Sequence, residues 1–120
     1  VRVRLNEKVF DEYESKLNIK NSINKLKKLG LISNKNTSEF NLYKPKGCRK
    51  CNHTGFKSRI GIYEVIAFDD KLRELVLAKG SETAIRELMG EEVVTMIEDG
   101  ILKVINGVST FDEVVRVTRE

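Results

Sequence analysis

The sequence predicts an α+β fold that is mostly helical. Three observations carry this. Residues 1–5 and 60–67 have strand character, a Cys-x-x-Cys turn at Cys48 and Cys51 lies between them, and everything after Phe68 has helical spacing.

Val1, Val3 and Leu5 alternate with Arg2 and Arg4, the period of a strand with one buried face. From Glu7 the period changes, and Val9, Phe10, Tyr13 and Leu17 fall on one helical stripe. A second helix is predicted over residues 22–29. Ile23, Leu26 and Leu29 form its apolar side, Lys25, Lys27 and Lys28 its wet side, and Gly30 stands where a C-terminal cap is wanted. Residues 33–39 are polar and turn-rich, so a loop is expected. Phe40, Asn41, Leu42 and Tyr43 are a short strand candidate. Pro45 and Gly47 then break the chain before the cysteines, and Gly55 follows them. Residues 60–67 are the best strand by composition, with Ile60, Ile62, Tyr63, Val65 and Ile66.

Four helices are predicted after that. Asp69 or Asp70 caps the first, with Leu72, Leu75 and Val76 buried and Gly80 at its end. Ser81 caps the next, with Ala84, Ile85, Leu88 and Met89 inside. The third spans about 92–105 and buries Val93, Met96, Ile97, Ile101, Val104 and Ile105. Within it lies Asp99-Gly100. A glycine there costs about 1 kcal/mol relative to alanine, so it packs close to a neighbour or marks a kink. Thr110-Phe111-Asp112-Glu113 reads as a capping box that opens the last helix, with Phe111, Val114 and Val115 inside.

The 120 residues suit one domain, or one domain with a small appendage. At 40% hydrophobic and 33% charged, the chain is globular in composition and far from the disordered class. Its net charge is +4 and unevenly spread. Residues 1–60 hold 15 Lys+Arg against 5 Asp+Glu, and residues 61–120 hold 7 against 13. Two units facing different neighbours are expected. The first is 1–58, a strand plus a basic helical insert that ends in the cysteine turn. The second is 59–120, a strand plus a C-terminal helical subdomain. No run approaches the roughly 18 apolar residues of a membrane helix. No signal-peptide pattern opens the chain, and a single Cys-x-x-Cys without one fits a reducing compartment. The chain opens on Val1 in mid-pattern, as a piece cut from something longer would.

Two features are candidate sites. Cys48 and Cys51 have the spacing at which a tight turn aims two thiolates at one Zn²⁺. A structural zinc takes four ligands, and His53 lies too near Cys51 to complete a tetrahedron unaided. The plainer reading, two ordinary cysteines in a packed turn, is favoured. A thioredoxin-like redox role would need a βαβ context that these residues lack. The second feature is a basic run of Lys44, Lys46, Arg49, Lys50, Lys57 and Arg59, with Phe40, Tyr43, Phe56 and Tyr63 nearby. Stacking on nucleic acid needs exposed aromatics, and strand and turn positions suggest burial. A solvated basic face is therefore favoured over nucleic-acid binding. No catalytic Ser/His/Asp set, recognisable carboxylate pair or Gly-x-x-x-x-Gly-Lys-Ser/Thr loop is present, so no catalytic residue is assigned.

Residues 47–65, Gly-Cys-Arg-Lys-Cys-Asn-His-Thr-Gly-Phe-Lys-Ser-Arg-Ile-Gly-Ile-Tyr-Glu-Val, resemble a segment of the bacterial type II secretion and type IV pilus assembly ATPases. That segment reads Gly-Cys-x-x-Cys-x-x-Thr-Gly-Tyr-x-Gly-Arg-x-Gly-Ile-Tyr-Glu. Leu72-Arg73-Glu74-Leu75 is similar to a later helix of that family. Asp99-Gly100-Ile101-Leu102-Lys103-Val104, Gly107 and residues 109–118 are similar to its closing stretch. The match is dense from about Gly47 to Thr118 and looser over residues 1–31. The resemblance implies a C-terminal piece that follows a RecA-like motor, with the ATP and magnesium sites upstream. The parent would be a hexamer on the cytoplasmic face of the inner membrane. It would drive pilus or pseudopilus assembly, or protein secretion, against a membrane platform protein. The piece itself would hold no cofactor and would serve structure and force coupling.

The family's four-cysteine zinc site would begin Arg-Leu-Cys-x-x-Cys. Here Arg4-Leu5 is followed by Asn6-Glu7-Lys8-Val9, so Asn6 and Val9 stand at the ligand positions and neither supplies a thiolate. Packing of Val9, Phe10, Leu26, Leu29, Phe40 and Phe56 is expected to hold the insert instead. Ser58, where the family has glycine, is expected only to stiffen its turn. The charge split and the resemblance together imply an antiparallel hairpin of residues 1–5 with 60–67 that closes the edge of the motor's sheet. Residues 6–58 would project from it as a basic knob, under a helical cap of 69–118. The alternative function is a small zinc-knuckle or nucleic-acid-binding adaptor. A thiol oxidoreductase is a third.

Overall fold

The computed structural model describes residues 2–4, 7–33 and 41–118, with side chains from residue 10 onward. It is mostly helical. The chain runs β1 (Arg2–Arg4), α1 (Glu7–Leu17), α2 (Ile19–Lys28), β2 (Asn41–Tyr43), α3 (Asp70–Leu77), α4 (Glu82–Met89), α5 (Met96–Ile105) and α6 (Phe111–Thr118).

The strand pairing differs from the expected hairpin. β1 pairs antiparallel with β2, with Arg2 opposite Tyr43, Val3 opposite Leu42 and Arg4 opposite Asn41. Residues 60–67 form neither strand nor helix. A strand needs a neighbour whose backbone completes its ladder, and composition alone cannot supply one. Side chains hold this segment instead. The Tyr63 N–H donates to Asp99 Oδ2 at 2.8 Å, and Glu64 Oε2 accepts the Met96 N–H at 3.3 Å.

α2 begins at Ile19, earlier than expected, because Asn18 turns the chain through a left-handed residue at φ 50°. No side chain of Asn18 caps the new helix. Glu14 reaches over from α1 and accepts the Lys20 N–H at 2.9 Å. The far end closes on Gly30 as predicted: Leu31 N–H donates to Leu26 O, and Gly30 N–H to Lys27 O, both at 2.9 Å.

Other helix ends show where capping logic held. Asp69 and Ser81 cap α3 and α4 by accepting the Leu72 and Ala84 N–H groups. α3 is closed by Lys79 in the left-handed region, at φ 55°, rather than by Gly80. α5 starts at Met96 because Thr95 and Glu98 form a reciprocal capping box. At α6 only half of the expected box forms. Thr110 Oγ1 accepts the Glu113 N–H, while the Glu113 carboxylate is taken by Arg116 at 2.7 Å. That bond holds the Glu113 carboxyl below its usual range.

One apolar core joins both halves of the chain. Leu17, Ile19, Ile23 and Leu26 of the first helices pack with Ile101 and Val104 of α5 and Phe111, Val114 and Val115 of α6. Tyr13 stacks on Phe111 with centroids 5.1 Å apart, and its hydroxyl donates to Asp112. Partial burial, with that carboxylate next, raises the Tyr13 pKa. The packing expected within residues 6–58 is met only in part among the described residues. Leu26 is buried and Phe10 packs against the core, but Phe56 is exposed. Val9's side chain and Phe40 lie outside the described residues. The partner surface is α5 and α6, supplied from the second half of the chain. Val76, Leu88 and Met96, expected inside, are exposed.

Gly100 explains the glycine inside α5. A Cβ there would stand 2.8 Å from Val114 Cγ1, inside contact distance of a stiff, buried β-branched side chain. The glycine lets α5 and α6 approach. Gly100→Ala is expected to destabilise the fold by roughly 1–3 kcal/mol despite alanine's better helix propensity. Urea unfolding would report it as a lowered midpoint at unchanged slope. A raised midpoint would show that the helices can part without cost.

Candidate functional site

The cysteine turn is built by backbone bonds from its own residues. Cys48 is extended, Arg49–Cys51 form one 3₁₀ turn, and Asn52 follows in the left-handed region. The His53 N–H donates back to Cys48 O at 2.9 Å, and Thr54 Oγ1 donates to Cys51 O at 2.6 Å. The flanking glycines are steric requirements. A Cβ on Gly47 would fall 2.2 Å from His53 O, and one on Gly55 2.5 Å from Pro45 Cβ. Gly55 also has φ +77°, which other residues rarely adopt. Ser58 sits at φ 59°, so a side chain occupies a backbone conformation that glycine suits. The left-handed serine strains the turn, a departure from expectation.

The two sulfurs lie 3.4 Å apart. Cys51 Sγ accepts the backbone N–H of Cys48 at 3.1 Å and that of Gly55 at 3.2 Å. These donors, Cys48 first, favour the charged sulfur and pull the Cys51 thiol down to about 7. The family resemblance implies zinc, and the donor set does not fit a four-ligand site. Among the described residues, no group of three or more His, Cys, Asp or Glu side chains stands close enough to hold one ion. His53 is exposed and does not complete such a group.

Around the turn, Lys44, Lys46, Arg49, Lys50, Lys57 and Arg59 are all exposed. No acidic residue occurs between residues 44 and 59. The aromatics expected to be buried are not: Tyr43, Phe56 and Tyr63 are exposed, and Phe40 lies outside the described residues. The apolar surface continues through Ile60 (54% exposed), Tyr63 (65%), Val65 (79%) and Phe68 (60%). Beside it, Tyr63, Ile66, Leu72, Leu88 and Leu102 help to line a cleft of about 670 Å³.

Sequence reasoning missed the residue that positions this surface. Asp99 receives the Tyr63 N–H and pairs with Lys103 at 2.5 Å, and the Lys103 ammonium lies 5.8 Å from the Tyr63 ring centre. The only sequence signal for it is its place in Asp99-Gly100.

The family model described as "Type II/IV secretion system protein" matches residues 6–116. The chain belongs to this family. Among its relatives is the type II secretion system protein E of Dickeya dadantii, 44% identical over 79 residues, which cover 66% of this chain and 16% of the relative. The type II secretion system ATPase E of Vibrio cholerae is 37% identical over 90 residues, covering 75% of this chain and 18% of the relative. The type IV pilus assembly ATPase PilB of Thermus thermophilus is 36% identical over 106 residues, 88% of this chain and 12% of the relative. The chain thus spans less than a fifth of the length of these relatives. Among the described residues, no helix is long and apolar enough to cross a membrane.

The cysteine geometry sets a pH dependence. Below about 7 the Cys51 thiol is protonated and slow, and above it the thiolate is present and reactive. Iodoacetamide labelling of Cys51, followed by peptide mass spectrometry, should show a half-maximal rate near pH 7. Gly55→Ala disturbs one of the two N–H donors and should move that midpoint up, toward the ordinary thiol value of about 8.5. An unchanged midpoint would remove the donors as its cause.

Proposed function

We propose that this chain is a C-terminal part of a secretion or pilus assembly ATPase, with a structural and force-coupling role and no ATP site of its own. One observation carries the reading. The family match spans 6–116, while the chain corresponds to only 12–18% of relatives named as secretion proteins or pilus ATPases. The sequence contains no phosphate-binding loop. ATP and magnesium belong to the remainder of the parent, a RecA-like motor. The parent assembles as a hexamer with neighbouring copies, peripheral to the cytoplasmic face of the bacterial inner membrane. There it works on a membrane platform protein.

The exposed segment at Ile60, Tyr63, Val65 and Phe68 supports coupling to the motor. Apolar side chains of this size favour burial against a further surface. Its anchors on α5, through Asp99 and Glu64, would carry displacement into the helical core.

The test compares this chain with the full-length parent. The chain alone is expected neither to bind nor to hydrolyse MgATP, and the parent to do both. Val65→Ser with Phe68→Ser in the parent should preserve nucleotide binding and reduce secretion or piliation at least severalfold. Hydrolysis by the chain alone, or a parent indifferent to the double substitution, would overturn the assignment.

A further inference from the structure

We propose that Cys48 and Cys51 are a redox-active thiol pair that closes reversibly into an intramolecular disulfide, with low-molecular-weight disulfides as the oxidant class. The sulfurs are 3.4 Å apart within one turn, against a disulfide bond of about 2.05 Å. Closure therefore takes side-chain rotation and a small shift, without bringing distant elements together. Cys48 is exposed and Cys51 half-exposed, so a small oxidant can reach both. The Cys48 and Gly55 N–H groups aim at Cys51 Sγ and stabilise it as attacking or leaving sulfur. The surrounding cations, Arg49, Lys50 and Lys57, attract an anionic disulfide to the turn.

Zinc-bound thiolates at the same spacing would be protected by their metal. Here Asn6 and Val9 stand where the other thiolates would be, and no third ligand of the usual kinds joins the pair among the described residues. In place of the four-thiolate set that the resemblance implies, two thiols face one another with an N–H cradle around one of them. That arrangement suits exchange chemistry.

The step balances as two exchanges. Cys51 thiolate attacks one sulfur of the oxidant RSSR, forming a Cys51–SR mixed disulfide and releasing RS⁻. Cys48 then loses its proton and attacks the Cys51 sulfur, releasing the second RS⁻. Two protein thiols and RSSR become one protein disulfide and two RSH. Two electrons pass from the cysteines to the oxidant, and an excess of RSH reverses both steps.

The experiment equilibrates the chain anaerobically across ratios of reduced to oxidised glutathione. Acid quenching, alkylation and intact mass measurement follow. Both thiols should disappear in one transition, with no glutathione retained at its end and full recovery on return to reducing buffer. Cys48→Ser, which cannot complete the second exchange, should instead end as a stable mixed disulfide on Cys51. Cys51→Ser serves as the second variant, expected to trap glutathione on Cys48 more slowly. Two outcomes would overturn the proposal. In one, both thiols stay alkylatable in fully oxidised glutathione. In the other, zinc binds stoichiometrically and protects them, which would return the pair to metal chemistry.

Discussion

The contact on which the architecture turns is the ion pair between Lys25 and Glu98. The Lys25 ammonium donates to Glu98 Oε2 at 2.8 Å and to Val93 O at 2.7 Å. The same Glu98 oxygen accepts the Thr95 N–H, so one carboxylate both caps α5 and receives α2. Glu98 is 9% exposed. A carboxylate in that position is costly without a partner, whereas an exposed pair contributes about 0–1 kcal/mol. Around this pair the apolar stripes of α2 and α5 close. Lys28 and Glu91 repeat the pairing in the open, where salt screens it.

This pairing changes the meaning of the charge asymmetry. A basic first half and an acidic second half suggest two units that face different neighbours. In the pairs Lys25–Glu98 and Lys28–Glu91 the cation comes from α2 and the anion from residues 91–98. Part of the imbalance is thus satisfied inside the chain. The run from Lys46 to Arg59 contains no acidic residue and lies beside the cysteine turn and the exposed apolar segment. Outward charge and outward apolar surface sit next to one another.

The cysteine turn is held by its own backbone. Gly47, Gly55 and the His53 amide still impose the geometry that would aim two sulfurs at one point. Two thiols 3.4 Å apart, with no third ligand beside them among the described residues, suit the sulfur–sulfur exchange proposed above better than tetrahedral coordination.

Local signals in the sequence were enough for the helices, most of their caps and the steric need for glycine around the cysteines. These depend on residues within about four positions of one another. Asp69, Ser81, Gly30 and the Cys48–Cys51 spacing are of this kind. Strand pairing was not local. Residues 60–67 have strand composition, but only a neighbouring backbone makes a strand, and β1 found β2 instead. Burial was not local either. The apolar stripe of α2 could be read from its spacing, yet which surface covers it depended on α5 and α6 closing at Gly100. Asp99 gained its role from that closure too, since it meets Tyr63 36 residues away. By itself the sequence determined which segments coil and where they stop, because backbone sterics and capping act over a single turn. The tertiary structure decided which faces meet and which apolar residues stay outside, because those outcomes belong to contacts between segments that no short window contains.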